Sequence, residues 1–279
     1  MFNNIISKSI SDRKYNEDVY GYGDNFVFVI DGATGLGEND CMGYGDDAKW
    51  FVENVASYLN NHVSSGSIVE CLQTVCEKLY AEYCAKLKCT QKVAYMPSSC
   101  ISLFRIIDDK IEYYGLGDTM GYIEFLDGSY EIFYDSKLVA LDNYAISEMV
   151  KIANEKGISP VEARKYIQEI LVHNRSLLNT KDGYYSLELT GSGLKHAICK
   201  SWNVKDVKRV CCMSDGFYEV LDYGLYDNIQ DVVNKVECDC EGIFSQLYQA
   251  QEKDALGYMV PRFKLRDDTT VVYAKVKGD

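Results

Sequence analysis

The chain has 279 residues, of which 47% are hydrophobic and 25% are charged, as is usual for a globular protein. Its 29 basic residues against 42 acidic ones give a net charge of −13, which disfavours nucleic-acid binding because an acidic surface gains nothing from displacing phosphate counterions. No basic leader with a long apolar core and no apolar run of roughly 18 residues is visible, so we expect a cytoplasmic protein without a membrane partner.

Apolar periodicity divides the chain into helices and strands. In chain order it predicts a strand at 26–30, helices at 48–59 and 72–87, strands at 99–106, 111–116, 120–125 and 130–134, helices at 145–156 and 160–178, a strand at 209–213, a helix at about 240–256 and a strand at 270–276. Candidate N-caps precede three of these helices, namely Asp46 or Asp47, Ser67, and Ser159 with Pro160 in the first turn.

The strands between 99 and 134 are separated by the turn sequences Asp108-Asp109 and Asp127-Gly128, which predicts an antiparallel meander. Antiparallel strands with helix pairs before and after them favour an α+β layered fold over a doubly wound parallel sheet. No linker or internal repeat interrupts the sequence, so one domain over 1–279 is the simplest organisation. A monomer is the simplest oligomeric state.

The chain contains 11 cysteines, yet a disulfide scaffold is typical of short secreted chains, which this is not. Many of the cysteines lie in apolar patterns, Cys71 and Cys76 in a helix pattern and Cys211 and Cys212 in a strand pattern, where we expect them to be small core residues. Cys238-Asp239-Cys240 is the pair with metal-like spacing, but no second cysteine pair completes a zinc site.

Acidic motifs recur at the ends of the apolar runs. Carboxylates at the mouths of buried strands are costly unless a charge compensates them, and hard divalent cations with oxygen ligands are the usual compensation. Arg13, five residues before Asp18, suits bidentate phosphate binding rather than metal binding. The motifs are Asn16-Glu17-Asp18, Asp31-Gly32, Gly117-Asp118, Ser214-Asp215-Gly216 and Asp267-Asp268-Thr269-Thr270.

Taken together and in this order, the motifs resemble the signature of the metal-dependent protein phosphatases, the type 2C family. That signature is Arg-x-x-x-Glu-Asp, Asp-Gly, Gly-Asp-Ser/Thr, Ser/Cys-Asp-Gly and Asp-Asn/Asp-x-Thr. A single Asp-Gly pair is usually only a turn, whereas five elements in register from 13 to 270 are specific. The resemblance implies a four-layer αββα sandwich, in which two antiparallel sheets are flanked by helix pairs.

The resemblance also implies a phosphoserine/phosphothreonine protein phosphatase that uses water bridged by two Mn²⁺ or Mg²⁺ ions as nucleophile, with a phosphoprotein as substrate. Its site roles transfer by motif. Arg13 would hold the phosphate and Asp31 would bridge the metals. The remaining metal-site residues are Glu17 through water, the Gly32 carbonyl, Asp215 and Asp267, with Asp18 hydrogen-bonded to bound water and Asp118 serving a weaker third ion.

Two features leave alternatives open. Ala33 stands where many eukaryotic members carry a histidine after Asp-Gly, so protonation of the leaving group has no assigned residue. The segment from about 135 to 205 corresponds to the variable flap of the family and carries no recognisable substrate signal. A non-catalytic module with the phosphatase fold and a hydrolase of small phosphate esters are the competing hypotheses.

Overall fold

The computed structural model describes residues 1–36, 40–87 and 93–277. Its helices are α1 (Asp47–His62), α2 (Ile68–Leu87), α3 (Ser136–Lys156), α4 (Pro160–Ala163), α5 (Gln168–Ser176), α6 (Asp215–Asp222) and α7 (Ile229–Lys253). Its strands are β1 (Phe2–Ile10), β2 (Asp18–Tyr22), β3 (Phe26–Ala33), β4 (Ser98–Ile107), β5 (Lys110–Leu116), β6 (Met120–Phe125), β7 (Tyr130–Phe133), β8 (Leu187–Glu188), β9 (Ile198–Asn203), β10 (Val207–Met213) and β11 (Thr269–Val276).

The strands form two antiparallel sheets. One has the order β1-β11-β10-β6-β7, and the other has the order β2-β3-β4-β5-β9 with β8 paired to β4. Among the described residues no helix is both long enough and apolar enough to cross a lipid bilayer.

Burial on both faces of the sheets explains the continuous apolar runs in the sequence. In β3, Val27 and Val29 pack into the layer between the sheets, whereas Phe28 and Ile30 face α1 and α2. On the other side, α6 and α7 cover the sheet that contains β10 and β11. The helix, sheet, sheet, helix order confirms the four-layer α+β sandwich that the family resemblance implies.

The predicted meander between 99 and 134 is wrong in one respect. The β4–β5 and β6–β7 hairpins both form, but β5 and β6 belong to different sheets. The turn between them carries the chain across the sandwich and is held by a 2.7 Å hydrogen bond from the Asp135 amide to the Gly117 carbonyl. Tight-turn residues fix a change of direction but do not reveal that the chain changes sheet.

Several helix boundaries also differ from prediction. Helix α3 begins at Ser136 rather than 145, because Asp135 caps it by accepting from the Lys137 amide at 2.9 Å. The predicted helix 160–178 is divided into α4, a 3₁₀ turn and α5. The predicted start near 240 falls at a break inside α7, where Asp239 has φ −158° and ψ 69°. The first half of α7, the whole of α6, and the strands β1, β2, β8 and β9 were not predicted.

The three predicted caps are confirmed. Asp46 accepts from the Lys49 amide at 2.9 Å and Ser67 from the Glu70 amide at 3.3 Å. Ser159 and Glu162 form a reciprocal capping box at the start of α4. No disulfide joins the ten cysteines in the described residues. Cys76, Cys100, Cys211 and Cys212 are buried as expected, whereas Cys71 in α2 is only partly buried.

A buried ion pair lies under α7. Arg209 on β10 and Glu124 on β6 are cross-strand partners, with both side chains 2% exposed. The Arg209 Nε atom donates to the Glu124 carboxylate at 2.7 Å, and the Tyr122 hydroxyl donates to it at the same distance. Arg209 also donates to Asn234 and Glu237 of α7. The pair therefore joins the sheet to its outer helix.

Helices α3, α4 and α5 have a small apolar core of their own. It contains Ala145, Met149, Ala153, Ala163 and Ile167. Arg175 at the end of α5 attaches this unit to the sandwich by donating to the carbonyl of Met96 at 2.9 Å and the hydroxyl of Ser98 at 2.8 Å. The anchor lies beside the end of β3, next to the acidic motifs.

Candidate active site

One end of the sandwich collects the acidic motifs. At this end β3, β5 and β10 finish and β2, β4, β6 and β11 begin, as the antiparallel registers show. The motifs occupy the connections and the first or last residues of these strands. Residues that are far apart in sequence are thus brought to one edge.

Asp18 and Asp31 are direct cross-strand partners on β2 and β3. Both carboxylate oxygens of Asp18 are buried without a hydrogen-bond partner among the described residues. Burial, together with the nearby charges of Asp268 and Asp267, raises the pKa of Asp18 to about 7, although the neighbouring hydroxyls of Thr270 and Ser214, which do not reach hydrogen-bond geometry, lower it in part. Burial also raises the pKa of Asp31 well above its usual value, as do the charges of four other carboxylates, those of Asp18, Asp215, Asp118 and Asp267.

Asp215 is the first residue of α6, directly after β10. Ser214 fixes this junction to β11, because its hydroxyl accepts from the Thr270 amide at 2.9 Å. The residue after Asp215 must be glycine, since a Cβ atom at Gly216 would lie 2.2 Å from the Asp268 carbonyl oxygen. This close approach brings Asp215 towards the loop that carries Asp267, and burial followed by the Asp267 charge raises the Asp215 pKa.

Asp118 lies in the turn that crosses from β5 to β6. It is 8% exposed, and burial raises its pKa, with a further contribution from the charge of Asp267. Tyr218 on α6 reaches over this turn, and its hydroxyl lies 3.5 Å from the Asp118 carbonyl oxygen. The turn that moves the chain between sheets therefore also delivers a carboxylate to the site.

Arg13 is bound by two carboxylates in this structure. Its terminal nitrogens donate to both oxygens of Glu17 at 2.8 and 2.9 Å, and one of them donates to Asp268 at 3.2 Å. Asp268 also accepts from the Glu17 amide at 2.8 Å. The guanidinium side chain remains 35% exposed, so it lies at the surface of the acidic cluster rather than inside it.

The Gly32 backbone lies close to Glu17. The Gly32 amide donates to the Glu17 carbonyl at 3.0 Å, and a Cβ atom at Gly32 would come within 2.6 Å of that oxygen. The Thr34 hydroxyl donates to the Glu17 carboxylate at 2.9 Å. The glycine therefore lets β3 and the segment before β2 approach one another beside Asp31.

These observations fit a divalent-cation site. The buried acids at this edge suppress one another's ionisation, and Asp18 presents two oxygens without partners, so added positive charge would relieve a large electrostatic cost. Oxygen-only donors suit Mn²⁺ or Mg²⁺. Within 1–36, 40–87 and 93–277 no three His, Cys, Asp or Glu side chains already form a ready-made metal-binding group, so the carboxylates would have to draw closer around an ion.

Three neighbours of this site were missed in the sequence. Asp268 lies within the last recognised motif, but the motif gives no sign of its contacts with Arg13 and Glu17. Lys264, whose Nζ donates to Asp267 at 2.8 Å, precedes the motif without any signal. Asp142 comes from α3, and burial with the charges of Asp118 and Asp267 raises its pKa to about 7; nothing in an ordinary helical pattern marks it.

The sequence matches the family model described as protein phosphatase 2C over residues 9–256. No curated protein matches it significantly.

Solved structures with a similar backbone cover nearly the whole chain. A bacterial serine phosphatase is 13% identical, covers 99% of this chain and 98% of its own, and has a TM-score of 0.53. The Mycobacterium tuberculosis serine/threonine phosphatase PstP/Ppp is 16% identical over 100% of both chains, with a TM-score of 0.53. The catalytic domain of PstP in complex with two manganese ions is 16% identical over 98% of both chains, with a TM-score of 0.50. At these identities the likeness establishes a shared fold.

Proposed function

Because the chain belongs to the protein phosphatase 2C family, we propose that it is a Mn²⁺- or Mg²⁺-dependent phosphatase of phosphoserine and phosphothreonine in proteins. The observation that carries the proposal is the set of buried or partly buried carboxylates at one edge of the sandwich, contributed by five separate motifs. The manganese ions in the PstP complex support the choice of cation. A phosphoprotein substrate follows from the family.

The residues divide into two groups in this proposal. Asp31 would serve both ions. The Gly32 carbonyl and, through water, Glu17 would serve one ion, and Asp215 and Asp267 would serve the other. Asp18 would orient bound water, and Asp118 would serve a weaker third ion. When bound, such ions supply an acidified water molecule as nucleophile and neutralise charge on the phosphoryl group.

Arg13 is the proposed phosphoryl clamp. Its guanidinium has the fork geometry that matches two phosphoryl oxygens, and it is partly exposed at the edge of the carboxylate cluster. The Glu17 and Asp268 carboxylates fix its position before substrate arrives. An incoming phosphate would share or replace these contacts.

Substitution of Arg13 by alanine should weaken productive substrate binding. A charge-assisted bidentate contact contributes roughly 1.5–3 kcal/mol, so kcat/KM towards a phosphothreonine peptide should fall about 10- to 100-fold. Arg13→Lys keeps the charge without the fork, and it should give an intermediate value. Steady-state kinetics of the three proteins measure this, and an unchanged kcat/KM in Arg13→Ala would mean that the residue is only a partner of Glu17.

The function itself is tested by phosphate release from a phosphothreonine peptide. We expect release with Mn²⁺, loss of release in excess EDTA, recovery on adding Mn²⁺ back, and little release from the matching phosphotyrosine peptide. Full activity in EDTA would contradict the metal dependence. No release under any condition would favour a non-catalytic module, and release from small phosphate esters alone would favour a small-molecule hydrolase.

A further inference from the structure

A basic cavity lies beside the acidic cluster. It has a volume of about 330 Å³ and is lined by Asp12, Arg13, Lys264, Leu265 and Arg266. Three of these five residues are cationic, in a chain whose net charge is −13. Each of these cations already contacts at least one carboxylate, so binding of an anionic ligand depends on which of them can be released from its partner.

Arg266 forms a fixed wall of the cavity. Its guanidinium donates to the carboxylates of Asp12 and Glu252, and it lies 4.5 Å from the centre of the Tyr248 ring. Its side chain is 16% exposed. Because the Arg266 guanidinium is already paired with two carboxylates and packs on an aromatic ring, it supports the cavity wall and is poorly available to bind an anionic ligand.

Lys264 has a different environment. Its side chain is 46% exposed, and among the described residues its one ion pair is with Asp267, at 2.8 Å. In the proposed function Asp267 binds a divalent cation, whose charge would cancel the attraction between Asp267 and Lys264. The Lys264 ammonium would then face the cavity without a full counter-charge.

We propose that Lys264 is a substrate-specificity residue that binds an acidic side chain adjacent to the phosphorylated residue of a peptide. The inference rests on the proposed function and adds a preference to it. Arg13, on the same cavity, would hold the phosphoryl group, so Lys264 is available for a second anionic group on the same peptide. Leu265, which is 43% exposed, offers an apolar contact for the stem of that side chain.

Two phosphothreonine peptides test this proposal, identical except that glutamate residues flank the phosphothreonine in one and glutamine residues do so in the other. We expect wild type to favour the glutamate peptide by about three- to fivefold in kcat/KM, the factor that an exposed ion pair of up to about 1 kcal/mol allows. The preference should reside in KM, and it should shrink at high salt.

In Lys264→Gln the ratio of the two kcat/KM values should fall to about one, whereas Lys264→Arg should retain it. Lys205→Gln, an exposed lysine at the opposite end of the sandwich, should leave the ratio at the wild-type value. Melting temperatures of the variants exclude a general loss of structure.

Two results would overturn the inference alone. Wild type could show no preference for the glutamate peptide. Lys264→Gln could keep the wild-type ratio, and if kcat/KM then falls equally for both peptides, Lys264 would act on the phosphoryl group instead. Failure of wild type to release phosphate from either peptide would refute the proposed function as well, so the two failures are distinguishable.

Discussion

Replacing Asp31 with asparagine is expected to lower kcat by about three orders of magnitude or more, because the variant loses the carboxylate proposed to bridge both ions and so loses the electrostatic stabilisation they supply. Asparagine nearly preserves the shape of aspartate, so the fold should survive. Asp31 is also crowded by four other carboxylates. Removing its charge relieves that repulsion, and the metal-free variant should be at least as stable as wild type at neutral pH.

Metal-dependent melting provides a second readout of the same variant. Saturation at roughly 100 times the dissociation constant stabilises a protein by about 2.7 kcal/mol, or roughly 5–10 °C for a chain of this size. Wild type should show this shift with Mn²⁺, and Asp31→Asn should lose most of it. Asp109→Asn, in an exposed turn at the other end of the sandwich, is the matched control and should behave as wild type. A folded Asp31→Asn protein with near-normal kcat would remove Asp31 from the site.

The largest expected effect on stability comes from Glu124→Gln. The change leaves the guanidinium of Arg209 buried without its principal counter-charge, and removing one partner of a buried ion pair costs about 3–5 kcal/mol. Glu237 still contacts Arg209 at 3.0 Å, so the loss in free energy of unfolding should lie towards the lower end of this range. Denaturant unfolding measures the difference. The control is Glu131→Gln on the neighbouring strand β7, where the side chain is exposed.

The effect of Glu124→Gln should also depend on pH. Burial alone would raise the pKa of Glu124, but hydrogen bonds from Lys208, Tyr122 and Arg209 and the charge of Arg209 lower it to about 2. A carboxylate with a depressed pKa stabilises the fold fully above its unfolded value, near 4.5, and loses that contribution as the pH falls towards 2. Wild type and variant should therefore converge in acid. The double change Glu124→Leu with Arg209→Leu should be milder than the single one, and equal losses would show that the charge imbalance is not the cause.

The parts of the fold that could be predicted from the sequence are those marked by apolar patterns or by helix-capping residues. Burial on both faces produced the apolar runs of β3, β4 and β10, and side-chain capping marked the starts of α1, α2 and α4. Strands β1 and β2 were missed because they alternate polar and apolar residues weakly and lie at the edges of their sheets. Helix α6 was hidden because its first residue belongs to the Ser-Asp-Gly motif and was interpreted only as part of the site.

The candidate site was predicted from motif order, and its residues lie at one edge of the sandwich, although their roles stay predictions. The pairing of Arg13 with Glu17 and Asp268 could not be foreseen, since it depends on how the segment after β1 meets the loop before β11. Lys264 approaches the cluster because of the path of the loop between α7 and β11, and Asp142 because of the position of α3. A single charged residue in the sequence does not reveal either position.

The pairing of β1 with β11 has a consequence for biosynthesis. Phe2 is opposite Val276 in this ladder, and Arg13 meets an aspartate 255 positions further along the chain. Contacts of such long range form late and slow folding. Before β11 has been synthesised, the nascent chain lacks Asp267, Asp268 and the strand that pairs with β1. The carboxylate cluster is therefore incomplete at that stage. The carboxylate cluster is thus completed only after the segment that carries Asp267, Asp268 and β11 has left the ribosome.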